Sequence, residues 1–173
     1  MFREVLLDSD GFAKLFVDIR PLNSTILSPV RFKVDTGANR TTISRDELAR
    51  LGYDEHWIKR GKPLFDAKAP TTASGLPIEG CYEIILPEIR IGDWVGYNWP
   101  FLTSLSVQFK FLLGTDSMRF FKWTFDYEDD VCRFELIPGR RRILFNQLEQ
   151  AIHAVDSQSD GIGESHLLRY GNE

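Results

Sequence analysis

The sequence predicts an all-β domain with one main helix, followed by a C-terminal helical appendage. Short runs in which apolar and polar residues alternate, such as residues 12–20, are typical of half-buried strands. Stretches rich in Gly, Pro, Asn and Asp separate these runs and indicate turns. After a Pro-Gly pair the apolar spacing becomes helical. We therefore expect a β domain over residues 1–138 and an amphipathic helix with a flexible tail over residues 139–173.

The predicted strands follow one another at short intervals along the domain. The first two are separated by the stretch DSDG, in which Gly11 is free to take the positive φ that a tight turn needs. The acidic run at residues 128–130 is predicted to be the turn of the last hairpin and not a metal site. The predicted strands cover residues 2–7, 12–20, 30–35, 41–44, 81–93, 97–105, 109–114 and 123–137.

The main helix is predicted to begin at Ser44. Ser44 and Glu47 have the spacing of a capping box, in which the serine oxygen accepts the backbone N–H three residues on. Gly52 follows the helix as a C′ residue that ends it. Residues 61–80 are rich in Pro, Gly, Thr and Ala, and they are predicted to form a loop or an exposed hairpin.

The appendage begins with an amphipathic segment, residues 141–155. Its apolar residues fall on one helical stripe. The stretch DSQSDGIGES, residues 156–165, is predicted to be a flexible linker that leads to a short tail. The stripe consists of Leu144, Leu148, Ala151, Ile152 and Val155.

The composition argues against several function classes. The chain has 173 residues, of which 43% are hydrophobic, and its formal net charge is −4. Nucleic-acid binding by bulk charge needs a basic face, so a nucleic-acid partner is not expected. No stretch reaches the roughly 18 apolar residues of a membrane span, and the first residues lack the apolar run of a signal peptide. We expect a soluble, cytoplasmic protein with no membrane partner.

Other residues that could carry chemistry have plainer interpretations. Cys81 and Cys132 lie far apart without metal-ligand spacing, and we expect two reduced, partly buried thiols. No Ser or Cys motif accompanies any of the three histidines, so a catalytic triad is not expected. Asp116 is predicted to cap the short helix-like stretch that follows it.

Asp35 is the candidate for chemistry. It closes the strand predicted over residues 30–35 and is followed at once by Thr36 and Gly37. Gly37 has no Cβ that would block a ligand's backbone, and Ala38 keeps the next position small. An Asp-Thr-Gly triplet arises by chance in roughly a few per cent of chains of this length. Alone, the triplet favours a turn carboxylate over a catalytic one, but the surrounding motifs favour catalysis.

Further motifs follow the triplet in a set order. They are the capped helix, a Thr-Ala-Ser-Gly hairpin at residues 72–75, Leu-Leu-Gly-x-Asp at residues 112–116, and the stretch FFKWTFDYEDDVCRFEL. With Asp-Thr-Gly-Ala, they resemble the retropepsin-like (retroviral-type) aspartic proteases in their bacterial single-domain form, over about residues 12–137. The resemblance implies a closed β-barrel-like acid-protease fold of one lobe with one main helix.

The same resemblance implies a homodimer that acts on a protein or peptide substrate. One chain supplies half an active site, which suits the single copy of Asp-Thr-Gly. Asp35 is implied to be catalytic, sharing a proton with its copy across the dimer axis and activating water without a metal, a cofactor or a covalent intermediate. The supporting residues implied for the loop around Asp35 are Thr36, Gly37, Ala38, Leu113 and Gly114, and the implied substrate-binding flap is Thr72, Ala73, Ser74 and Gly75.

Two function classes stay open at this point. One is an aspartic endopeptidase; the other is a catalytically silent retropepsin-like module that binds an extended peptide or mediates dimerisation. The intact Asp-Thr-Gly favours the enzyme, since a site without function needs neither the acid nor its glycine. The helix predicted over residues 141–155 is expected either to pack on the dimer or to block the cleft.

Overall fold

Ten strands and three short helices make up the part of the chain that the structure, a computed structural model, describes: residues 2–65, 69–71 and 75–144. In chain order they are β1 (Phe2–Leu6), β2 (Lys14–Ile19), β3 (Ser28–Val34), α1 (Arg45–Arg50), α2 (Glu55–Ile58), β4 (Lys62–Leu64), β5 (Cys81–Ile91), β6 (Trp94–Ser104), β7 (Leu112–Leu113), α3 (Thr115–Met118), β8 (Phe121–Asp126), β9 (Val131–Leu136) and β10 (Arg142–Leu144). The predicted β-rich class is confirmed.

The strands form two sheets. One has three strands in the order β1-β9-β8; the other has the order β10-β6-β5-β2-β3-β7, with β4 also paired to β5. The pairings of β10 with β6 and of β3 with β7 are parallel. Among the described strands, the larger sheet stays open between β10 and β7, so the closed barrel implied by the resemblance is not found. These two outer strands have only three and two residues, which offer few hydrogen bonds for closure.

β2 and β3 share one apolar face. Their antiparallel register places Leu15 opposite Phe32 and Val17 opposite Val30, and all four side chains are buried. The alternation predicted from the sequence is therefore confirmed in both strands. Because β3 is buried along this face up to its last residue, the point at which Asp35 leaves the sheet is fixed by the core.

An aromatic cluster anchors the segment that follows α3. The ring of Phe120 stacks on Trp94 with centroids 5.2 Å apart and meets Trp99 edge-on at 5.4 Å. Both tryptophans belong to β6 and are fully buried. Aromatic pairs of this kind contribute about 0.5–1.5 kcal/mol beyond their buried area. The cluster therefore holds the end of α3 against β6.

The helices are short, and α1 begins and ends as predicted. Ser44 accepts the N–H of Glu47 at 3.2 Å, and Gly52 has a φ of +89° just after the helix. The Glu47 carboxylate contacts Arg50 of the same helix. With six residues, α1 is the longest helix in the described ranges, and none there has the length and apolar character needed to cross a membrane.

The C-terminal segment departs from the prediction. Arg142–Leu144 form β10 and pair with residues 95–97 of β6, so the helix predicted over residues 141–155 does not begin at residue 141. A strand partner elsewhere in the chain supplies backbone hydrogen bonds that local apolar spacing does not anticipate. Residues 145–173 lie outside the described residues. The appended helix, the tail and the division into domain and appendage therefore stay predictions.

Both cysteines are free and buried, as expected for reduced thiols. Burial raises the pKa of Cys81, and it raises the pKa of Cys132 to about 11. A raised pKa keeps a thiol protonated and poorly nucleophilic. The two cysteines therefore pack as small apolar side chains.

A charged cluster ties the connection between β2 and β3 to β5. Glu88 is buried on β5 and accepts hydrogen bonds from Arg20 Nε and from Arg90 Nε, each at 2.7 Å. Arg20 also donates to the carbonyl of Thr25 at 2.7 Å and accepts the hydroxyl of Tyr53 at its own carbonyl. Burial alone raises the pKa of Glu88, but the hydrogen bonds from Arg20 and Arg90 outweigh it and hold this pKa below its usual value.

The lowered pKa predicts a loss of stability in acid that depends on Glu88. The unfolded chain binds this proton near pH 4.3, about the ordinary glutamate pKa. The stabilising contribution is therefore complete above that pH and is lost as the pH falls through the lowered folded-state pKa. Glu88→Gln should lower the free energy of unfolding at neutral pH and flatten its decline in acid.

Urea denaturation from about pH 7 to about pH 3 measures both effects. The exposed turn variant Glu128→Gln is the control and should follow the wild-type curve. An equally steep acid decline in Glu88→Gln would contradict the prediction.

Candidate active site

Asp35 lies where β3 ends, and its carboxylate is oriented by its own turn. Its N–H donates to the carbonyl of Leu113 at 3.1 Å, which fixes the main chain against β7. Its Oδ1 accepts the N–H of Gly37 at 2.9 Å. The side chain is half-buried, and within the part of the chain that the structure describes Oδ2 has no hydrogen-bond partner. One carboxylate oxygen is therefore held while the other is available to a ligand.

The turn after Asp35 exposes the next two residues. The N–H of Ala38 donates to the carbonyl of Asp35 at 3.2 Å and closes the turn. Thr36 and Gly37 are exposed. A Cβ added to Gly37 would lie 3.2 Å from Asp35 Oδ1, which is tighter than an ordinary contact. Glycine therefore leaves the space beside the carboxylate open.

The remainder of this loop, residues 39–43, is held between β6 and β7; we call residues 35–43 the Asp35 loop. The N–H of Thr42 donates to the carbonyl of Leu112 at 2.9 Å, and the N–H of Ile43 donates to that of Leu102 at 3.0 Å. Thr42 forms two isolated bridges, one with Leu102 and one with Leu112, and no continuous strand, so the strand predicted over residues 41–44 is wrong. The segment pairs with two different strands, one residue at a time.

Gly114 packs directly against the backbone of the Asp35 loop. A Cβ on Gly114 would lie 2.4 Å from the carbonyl carbon of Arg40, a distance that only glycine avoids. Next along the chain, the N–H of Thr115 donates to the carbonyl of Ala38 at 2.8 Å. Leu113 is fully buried. Leu113 and Gly114 therefore lie behind the Asp35 loop, and their supporting role in catalysis stays a prediction.

Asp116 does not cap α3, contrary to the prediction. The N-cap position is Gly114, and the Asp116 side chain is buried instead. Its Oδ2 accepts the N–H of Thr41 at 3.0 Å, and its Oδ1 accepts the Thr41 hydroxyl at 2.6 Å and the N–H of Ser117 at 2.7 Å. A buried carboxylate needs several strong donors, and the Asp35 loop supplies two of them.

Thr41 extends this contact to the core. Its hydroxyl accepts the N–H of Gly114 at 3.2 Å and lies 2.8 Å from the hydroxyl of Ser117. The indole N–H of Trp99 donates to Ser117 at 3.0 Å. Thr41, Ser117 and Trp99 are all buried. The Asp35 loop is therefore connected to the aromatic cluster through a continuous set of buried hydrogen bonds, and Thr41 is a site residue that the sequence did not reveal.

The residues that flank the predicted flap continue the hairpin of β4 and β5. Lys62–Leu64 pair with residues 81–83, and further out the N–H of Ile78 donates to the carbonyl of Pro70 at 2.8 Å. The exposed-hairpin interpretation of residues 61–80 is confirmed for these described parts. Gly75 has a φ of +81° and open space around it. The other flap candidates, Thr72, Ala73 and Ser74, lie outside the described residues.

The acidic run at residues 128–130 forms the turn between β8 and β9, as predicted. Asp126 Oδ1 accepts the N–H groups of Glu128 and Asp129, each at 3.2 Å, and Asp130 has a φ of +53°. In the described ranges, no group of three or more His, Cys, Asp or Glu side chains is arranged to hold a metal ion. The run is explained by turn geometry.

The buried contact between Asp116 and Thr41 predicts a large loss of stability on truncation. Asp116→Ala removes three hydrogen bonds and leaves the buried N–H of Thr41 unpaired, so the free energy of unfolding should fall by about 3 kcal/mol. Asp116→Asn keeps the shape and one acceptor oxygen and should lose less. Urea denaturation of both variants tests this, and equal losses would show that the carboxylate acceptors do not matter.

Comparisons with known proteins agree with this geometry. A family model described as aspartyl protease matches residues 22–117, more than half of the chain. No curated protein sequence matches. Among solved structures, a retropepsin-like aspartic protease from Rickettsia conorii is similar, with a TM-score of 0.55 and 19% identity over 78% of this chain and 90% of that one.

At 19% identity, the structural likeness shows the fold and not the activity. The family match includes Asp35, the Asp35 loop, the β4–β5 hairpin and Gly114. In the structure, Gly114 and the hairpin both lie beside the Asp35 loop. On these grounds, the chain belongs to the aspartyl protease family and has a retropepsin-like fold.

Proposed function

We propose that the protein is an aspartic endopeptidase whose active site contains two Asp35 carboxylates, one from each chain of a homodimer. Membership of the family supports aspartic protease activity in general. The observation that carries the finer proposal is the state of Asp35: one oxygen is held by Gly37 at 2.9 Å, and the other points to no partner among the described residues. Asp-Thr-Gly occurs once in the sequence, and the chemistry needs an acid and a base together.

The proposed mechanism follows from electrostatics. Two carboxylates about 3 Å apart cannot both ionise, so the pair keeps one proton over a wide pH range. The ionised Asp35 takes a proton from a bound water, which attacks the peptide carbonyl carbon. The protonated Asp35 donates its proton to the carbonyl oxygen as the tetrahedral diol forms. The two carboxylates supply both proton transfers, so the steps need no metal, cofactor or covalent intermediate.

The residues beside Asp35 take supporting parts in this proposal. Thr36 is exposed at the tip of the turn, where it can donate a hydrogen bond across the dimer axis. Gly37 is exposed and has no side chain, so an extended peptide can approach its backbone. Ala38, Leu113 and Gly114 keep the turn close to β7 and α3. Residues 72–75 are proposed to contact the bound peptide from the β4–β5 hairpin.

Replacing the carboxylate tests the catalytic part of the proposal. Asp35→Asn keeps the shape but removes the ionisable group, so cleavage of a peptide library should fall by about 10³-fold between about pH 4 and pH 8. Mass spectrometry reads the products. The control is Asp130→Asn, which changes an exposed turn carboxylate at a φ of +53° that asparagine tolerates. Cleavage that survives in Asp35→Asn would contradict the assignment of Asp35.

Mixing the two proteins tests whether the site is shared. If each site needs an Asp35 from both chains, an exchanged mixture with a ninefold excess of Asp35→Asn should reduce activity per wild-type chain to about one tenth. A site built from one chain predicts no reduction. Sedimentation velocity confirms the dimer in both samples. A dimer in which wild type cleaves nothing would favour the silent peptide-binding module.

A further inference from the structure

The side chain of Arg40 connects two parts of the candidate site that are far apart in the chain. Its Nη2 forms an ion pair with Glu83 Oε2 on β5, and its Nε lies 3.6 Å from Asp116 Oδ2 on α3. Arg40 is 36% exposed, whereas the carboxylates are 20% and 6% exposed. A guanidinium presents several N–H groups in a rigid plane, so it can serve two carboxylates at once.

The backbone around Arg40 is held in place by close packing and a hydrogen bond. The missing Cβ of Gly114 allows the carbonyl of Arg40 to pack against the start of α3, and the next N–H, that of Thr41, is bound to Asp116. Any adjustment between the Asp35 loop and β5 must therefore occur in the Arg40 side chain. The ion pair with Glu83 fixes that side chain.

Glu83 marks the base of the β4–β5 hairpin. It stands opposite Lys62 of β4 and Leu102 of β6 in the sheet register. The carbonyl of Glu83 would lie 2.6 Å from a Cβ on Gly61, so the chain entering β4 also packs closely on this residue. The described arms of the hairpin begin at this point. The base of the β4–β5 hairpin is thus tied to the Asp35 loop through the ion pair between Arg40 and Glu83, in addition to the β5–β6 ladder.

We propose that Arg40 is a positioning residue that couples the base of the β4–β5 hairpin to the Asp35 loop. The consequence for substrate rests on the proposed endopeptidase function. In the proposed endopeptidase this hairpin leads to the residues proposed to contact the peptide, so loss of the coupling is expected to weaken substrate binding and raise KM. When Glu83 is replaced, Asp35 Oδ1 keeps its hydrogen bond from Gly37 and the Asp35 loop keeps its hydrogen bonds to Asp116, so kcat is expected to change little.

Glu83→Gln removes the charge at the hairpin base and keeps its shape. Partly exposed ion pairs of this kind correspond to roughly a fivefold change in an equilibrium. Hydrogen exchange of the amides of Lys62, Leu64 and residues 81–83 should therefore accelerate about fivefold, and KM should rise by about the same factor while kcat stays within about twofold. The matched control is Glu4→Gln, which breaks the ion pair of Glu4 with Arg133 at 2.9 Å in the other sheet. It should change neither quantity.

A double-mutant cycle isolates the pair. Arg40→Gln and Glu83→Gln are made singly and together, and exchange in the hairpin arms is measured in all four full-length proteins. If the two residues act as a unit, the second substitution adds little to the first. Arg40→Lys keeps a positive charge but not the planar group, and should give an intermediate exchange rate. Independent, additive effects on hairpin exchange would overturn the coupling.

The two readouts separate failure of the coupling from failure of the proposed function. If wild type cleaves no peptide, the endopeptidase is refuted, and the exchange cycle still decides whether Arg40 couples the two segments. If wild type cleaves and Glu83→Gln changes neither KM nor exchange, the coupling is refuted and the endopeptidase stands. Faster exchange with an unchanged KM would overturn the role of the coupling in substrate binding.

Discussion

The contact between Thr41 and Asp116 is the constraint on which the candidate site depends. It joins two residues 75 positions apart and places α3 directly behind the Asp35 loop. β3 ends directly before Asp35, and β7 ends directly before Gly114. The two strands pair in parallel beside the site. The hydrogen bond from Asp35 N–H to the carbonyl of Leu113 follows from that arrangement. One buried carboxylate thus determines where the Asp35 carboxylate lies.

The contact between Thr41 and Asp116 adds little net stability, but its loss costs much more free energy. Removing a carboxylate such as Asp116 from water costs several kcal/mol, and its three hydrogen bonds and the nearby Arg40 offset that cost. The net gain is small. Moving the Asp35 loop away from Asp116, however, would remove two of the three hydrogen bonds to the carboxylate and leave the buried N–H of Thr41 unpaired, which is strongly unfavourable. The network therefore excludes alternative loop positions and gives the site one geometry.

Local patterns in the sequence predicted the parts of the fold that depend on local physics. Alternation predicted β2 and β3, and the spacing of Ser44 and Glu47 predicted the start of α1, because both signals lie within a few residues. Asp116 was misassigned because N-cap preference is local, whereas its partner stands in another part of the chain. The start of β10 was mistaken for a helix for the same reason, since its pairing with β6 is a tertiary contact. Barrel closure is likewise a non-local property, and the short outer strands do not provide it.

The geometry of one chain bears on how the proposed dimer forms. If the Asp35 loop were disordered in the single chain, pairing would have to order it, and the lost conformational entropy would weaken association. Here the loop is already fixed by Thr41, by Gly114 and by the turn that holds Asp35 Oδ1, while Thr36 and Gly37 remain exposed. Folding of a single chain is therefore enough to orient the Asp35 carboxylate. In the proposed dimer, association would then bring together two half-sites whose carboxylates are already oriented.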